Sequence, residues 1–122
     1  MVTDDYTTTF GDHEMNWEDL AMETQKIFDA FPDYKFTFQK VEELGDVVIL
    51  HHFVPFGTHS GAAYAFGPCE PIEPSGRYVR TDPEEVHFKF RDGKICQNVV
   101  FSDGELIGPA GIYFQIGGFP MI

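Results

Sequence analysis

Two adjacent histidines, His51 and His52, interrupt the apolar run from Val47 to Phe56. Imidazole is the side chain that changes charge near neutral pH, so their placement invites proton chemistry. In an extended strand the two point to opposite faces, and one of them enters the interior whichever way the strand lies. There it either serves a bound molecule or is hydrogen-bonded into the core. Asn98, within the run Ile95 to Phe101, carries both a donor and an acceptor and is suited to anchor a ligand oxygen. His59 sits between Thr58 and Ser60, where local partners favour a structural role. His87 alternates away from Val86 and goes with Lys89 and Arg91 to the outer surface. His13 has Asp12 and Glu14 beside it, but no second His or Cys lies at ligand spacing, so no metal is expected. Cys69 and Cys96 have no neighbouring base to make a thiolate. With no CxxC pair and no secretory leader, they predict a reducing, cytoplasmic setting without disulfides.

The elements that must position these groups follow from hydrophobic period. Residues 1–15 lack apolar periodicity and read as a loop or a short edge strand around Tyr6 to Phe10. Asn16 is an N-cap, and Trp17, Leu20, Thr24, Ile27 and Phe31 recur at helical spacing, which predicts a helix over 17–30 stopped by Pro32. From Tyr34 the period becomes two, carrying a strand to about Glu43, and Gly45-Asp46 makes a turn. Val47 to Phe56, apolar on both faces apart from the histidines, predicts a central strand with a bulge or bend near Pro55. Residues 65–76 hold too many Gly and Pro for a regular element. Tyr78 to Phe90 and Ile95 to Phe101 bracket Asp92-Gly93, a tight hairpin signal. The glycine-rich tail around Ile112-Tyr113-Phe114 predicts a short helical turn.

At 122 residues and 43% hydrophobic content the chain builds one domain, residues 1–122, around one core. Thirteen Phe, five Tyr and one Trp favour an aromatic-lined interior. Twenty acidic residues against eight basic give a net charge of -12, which disfavours nucleic acid and anionic membrane surfaces as partners. No apolar stretch is long enough to cross a bilayer.

Several segments resemble the SnoaL-like polyketide cyclases of the nuclear-transport-factor-2-like superfamily. Ala30-Phe31-Pro32-Asp33-Tyr34-Lys35-Phe36 resembles their helix-to-strand junction, and Gly57-Thr58-His59-Ser60-Gly61 their GTHxG turn. Ser75-Gly76-Arg77-Tyr78-Val79 is similar to their TGR segment, Phe88 to Ile95 to their final hairpin, and Gln115-Ile116-Gly117 to their terminal QLG. In this order, over roughly 28–118, the resemblance implies an α+β fold, a cone-shaped curved antiparallel sheet wrapped around a helix. It also implies that the opening helix of the family is missing here. In the cyclases a histidine and an aspartate on the two arms of the final hairpin serve an intramolecular aldol closure. Counting from Asp92-Gly93, the matching positions are Val86 and Val100, which can neither take nor give a proton. The resemblance further implies that His52 is the histidine facing the pocket, as the best candidate for catalysis. It places Asp4, Asp5 and Tyr6 toward the pocket mouth.

The expected function is binding of a hydrophobic or polyketide-like small molecule in a conical pocket contributed to by Tyr6, Trp17, His52, His59, Val86, Asn98 and Val100, with cyclase, isomerase or hydratase activity and no cofactor. The alternatives are a non-catalytic binding module and a dimerisation module of the same fold. In all of them the apolar side chains on the outer sheet face call for a homodimer.

Overall fold

The computed structural model describes residues 2–10 and 13–118, with only the backbone of His13; Asp12 lies outside the described residues, and so does the side chain of His13. The elements are β1 (Val2–Phe10), β2 (His13–Asn16), α1 (Trp17–Ala30), β3 (Lys35–Thr37), β4 (Lys40–Leu44), β5 (Val47–Thr58), β6 (Tyr78–Arg80), β7 (Glu84–Arg91), β8 (Lys94–Phe101) and α2 (Gly108–Gln115). Among the described residues no helix is long and apolar enough to cross a membrane.

The strands form one eight-stranded sheet in the order β2-β1-β8-β7-β5-β3, with β4 and β6 also paired to β5. β5 organises it. Its first half carries β4 on one side and β7 on the other, and its second half carries β3 and β6. The sheet is mixed rather than antiparallel, because β1 runs parallel to β8. Hydrophobic period carries no strand direction, and here the whole intervening chain serves as the crossover that a parallel pair requires. The N-terminal segment is also longer than expected: β1 is an internal strand between β2 and β8, and its signal lay in the β-branched Thr7-Thr8-Thr9. The run from Tyr34 divides into β3 and β4, and Tyr78 to Phe90 into β6 and β7, the second break falling at Pro83.

Asn16 caps α1 by accepting from the Asp19 amide at 2.9 Å. Ile27 and Ala30 are buried and join Phe31, Tyr64, Val79, Ile112, Tyr113 and Ile116 in one core. Each of the larger side chains there contributes about 2 kcal/mol through lost water contact. The Asp92-Gly93 turn has positive φ at both residues (53° and 79°), as a two-residue hairpin needs.

The segments shared with the cyclases interlock. The amides of Gly61 and Ala62 donate to the Ala30 and Asp29 carbonyls at the end of α1, at 2.9 and 2.8 Å. Asp33 accepts from the Thr58 amide at 2.7 Å. His59 is fully buried, stacked on Phe31 with ring centroids 5.1 Å apart, with Ser75 Oγ and the Ala62 carbonyl each 3.1 Å from its ring nitrogens. From α2, the Gln115 amide nitrogen donates to the Arg80 carbonyl at 2.9 Å, and its oxygen accepts from the Arg80 amide. These residues tie α1, β5, β6 and α2 together, so the resemblance is carried by scaffold.

Candidate functional site

Register defines the inner face of the sheet. Val86 lies opposite both Leu50 and Val100, and Glu84 lies opposite Phe53, so Glu84, Val86 and Val100 share one face. Gly57, on the same face of β5, meets Tyr34, Asp33 and Phe31, which places that face against the α1 side of the molecule. Val86 and Val100 are buried directly opposite one another. Asn98 pairs with Phe88 one step along, and its Oδ1 is buried without a hydrogen-bond partner.

Glu84 is the chemically distinctive residue of this face. It is 5% exposed. No donor or cation among the described residues offsets its burial, and desolvation alone pushes its carboxyl from an ordinary 4.5 up to about 7. The Tyr34 phenol is raised well above its usual range, first by burial and then by the charge of Glu84, so it stays protonated and able to donate. The Tyr64 phenol is raised in the same way, by burial and then by Glu23, and its hydroxyl has no partner. In contrast the neighbouring Tyr113 hydroxyl donates to the Glu70 carbonyl at 2.6 Å.

Beside Tyr34 and Phe53 opens a recess of about 580 Å³, lined also by Thr24, Phe28, Lys35 and Phe36. Phe36 packs on Phe53 with centroids 4.8 Å apart, and Phe28 meets Tyr34 edge-on at 5.5 Å. Its walls are therefore mainly aromatic. Glu84, the register partner of Phe53, does not line this recess, though its charge acts on the Tyr34 phenol that does; it lines a second hollow of about 310 Å³ with His52, Phe101 and Asp103.

The residues expected from sequence are spread over several environments. His52 occupies a bulge between Leu50 and Phe53, is exposed, and has a φ of 55°. The bulge spoils the alternation that would have placed it with Val48 and Leu50. His51 lies outside, with Nε2 2.8 Å from Glu42 Oε1 and Nδ1 3.1 Å from Glu85 Oε1. His87 is on the same outer face, 2.7 Å from Glu85 Oε2, and the Glu85 carboxyl is held below its ordinary range, chiefly by that hydrogen bond. Tyr6 is buried and meets the half-exposed Trp17 edge-on at 5.7 Å, and burial raises its phenol. Asp4 is exposed, and Asp5 pairs with Arg91 on the surface. Sequence reasoning missed Glu84, though a count of two back from Val86 puts it on the inner face.

No sequence-family model matches the chain, and no curated protein does. Solved structures do. AclR from Streptomyces galilaeus, a proposed hydroxylase, superposes with a TM-score of 0.71 at 21% identity over 99% of this chain and 69% of its own. A proposed SnoaL-like polyketide cyclase from Jannaschia sp. CCS1 gives 0.66 at 21% identity, over 98% and 75%. IdmH, a proposed polyketide cyclase from Streptomyces antibioticus, gives 0.60 at 24% identity, over 84% and 76%. At such identities the likeness is one of architecture: the chain has the α+β, curved-sheet fold of the SnoaL-like polyketide cyclases within the nuclear-transport-factor-2-like superfamily.

Proposed function

We propose that the chain binds a hydrophobic small molecule against the inner face of its sheet, and that any proton transfer to that molecule passes through Glu84. The observation that carries this reading is the aromatic recess of about 580 Å³, two of whose lining residues, Phe53 and Tyr34, neighbour a desolvated carboxyl with no ion pair among the described residues. Apolar walls with a few convergent polar groups are the usual make-up of a ligand site. A carboxyl near 7 is half ionised at neutral pH, so it can accept a proton and return it, which an isomerisation or cyclisation requires. Val86 and Val100 supply shape and dryness to this face. The proposal includes a homodimer through the outer sheet face, where Phe101 is half exposed.

The test is a two-dimensional NMR titration with 1-tetralone, a small aromatic ketone. Shifts are expected at Phe53, Phe36 and Tyr34. Phe53→Ala should weaken binding about tenfold, through loss of roughly 1.5 kcal/mol of apolar contact. Shifts confined to residues of the outer face would refute the reading.

A further inference from the structure

We infer that the hydrophobic molecule taken by the aromatic recess carries a carboxylate, an aryl or alicyclic acid whose apolar body lies on Phe36 and Phe53 and whose anionic end is met by Lys35. The inference rests on the recess being a ligand site, and adds the chemistry of what enters it.

The first observation is the polar complement of the recess. Of its six lining residues, Phe28, Phe36 and Phe53 offer no polar side-chain atom. The other three, Thr24, Tyr34 and Lys35, all carry hydrogen-bond donors, and Lys35 is the one formal charge. No carboxylate lines it. The Tyr34 phenol stays protonated, raised first by burial and then by the charge of Glu84, so it remains a donor. A negatively charged group that only accepts hydrogen bonds is the complement of such a set, and a carboxylate has two oxygens to share among donors. The wall suits a flat acid, since Phe36 and Phe53 lie 4.8 Å apart and offer a broad apolar surface.

The second observation is that the lysine is uncommitted. Lys26 is held by Glu23 at 3.3 Å and Arg91 by Asp5, but among the described residues Lys35 has no ion pair. Asp33, two residues earlier, is held below its ordinary range first by the Thr58 amide, with Lys35 the least of the causes, and its Oδ1 accepts from that amide at 2.7 Å. Lys35 is exposed, at the first position of β3. A lysine so placed keeps its ammonium in water while its stem covers apolar surface.

Two charges work against an anion. The chain's net charge of -12 repels it at long range, but that field is screened beyond about 8 Å at physiological salt, so the contact with Lys35 sets the preference. Glu84 acts on Tyr34, which leaves the lysine side of the recess as the place for the carboxylate.

Calorimetric titration of the full chain at pH 7 with 2-naphthoate and its uncharged isostere 2-naphthamide, with amide NMR shifts to locate each, tests this. The expected result is shifts at Tyr34, Phe36 and Phe53 for both probes, with the acid bound about fivefold more tightly, the size of one exposed contact pair. Lys35→Gln should abolish the preference and leave the affinity for naphthamide within about twofold, while Lys35→Arg should keep it. Equal binding of the two probes, a preference that persists in Lys35→Gln or is lost in Lys35→Arg, or acid shifts confined to the hairpin around Lys89 and Arg91 would overturn the anion inference while leaving the recess as a site for neutral molecules. Failure of both probes to bind at millimolar concentration overturns the site itself.

Discussion

Replacing Glu84 with glutamine should make the protein more stable at pH 8, by about 2 kcal/mol, and less stable at pH 4, by about 1 kcal/mol. In the folded state the carboxyl titrates at about 7 against an ordinary 4.5, because burial penalises its charged form. Below 4.5 it is protonated folded and unfolded alike, and contributes no pH dependence. Between 4.5 and about 7 the unfolded chain gives up the proton while the folded chain keeps it, so stability falls as pH rises. Above 7 both forms are ionised and the full penalty stands. At about 1.4 kcal/mol per unit the penalty is about 3 kcal/mol, and a neutral amide, itself buried with imperfect partners, returns roughly two-thirds of it. Urea denaturation of both proteins across this range measures the difference directly, since every other acidic residue cancels in the comparison. Parallel curves for the two proteins would show that Glu84 is not buried unpaired.

Gly61→Ala should have the opposite effect, a loss of about 3 kcal/mol or more. A Cβ at Gly61 would lie 2.2 Å from the Asp29 carbonyl oxygen, with Pro32 Cγ at 3.1 Å and the Ala30 oxygen at 3.2 Å. The two oxygens are backbone at the end of a helix, and they cannot swing aside as a flexible side chain can. Relief would separate the turn from α1 and break the bonds from Gly61 and Ala62 to the Ala30 and Asp29 carbonyls, adding unpaired groups to the steric cost. Gly67→Ala is the control: its φ is +53°, but a Cβ there meets nothing within 4 Å, so only left-handed strain of about 1 kcal/mol is expected. Thermal melts of the two variants should differ widely. Similar melting temperatures would mean that the turn does not clamp the helix.

The contrast between these positions explains what could be read from the chain alone. Helix α1 was legible because Asn16, the apolar spacing and Pro32 all act locally, and the Asp92-Gly93 hairpin was legible for the same reason. The familiar segments were legible because each holds another: Gly61 needs the helix end, His59 needs Phe31 and Ser75, and Gln115 needs Arg80. They specify architecture and say little about chemistry. The direction of β1 and the bulge at His52 were not legible, since both depend on pairing between distant strands. The bulge moved the favoured histidine to the surface and left the inner face to Glu84, which in sequence is half of an ordinary acidic pair with Glu85. Only its place opposite Phe53 and beside Tyr34 separates the two.

An unpaired carboxyl beside a ligand recess is best tested by following the Glu84 side-chain carbon by ¹³C NMR through a pH titration, with and without saturating 1-tetralone. A midpoint at about 7 in the free protein, displaced when the recess is filled, is the predicted result. A midpoint in the ordinary glutamate range and a curve indifferent to the ketone would contradict it.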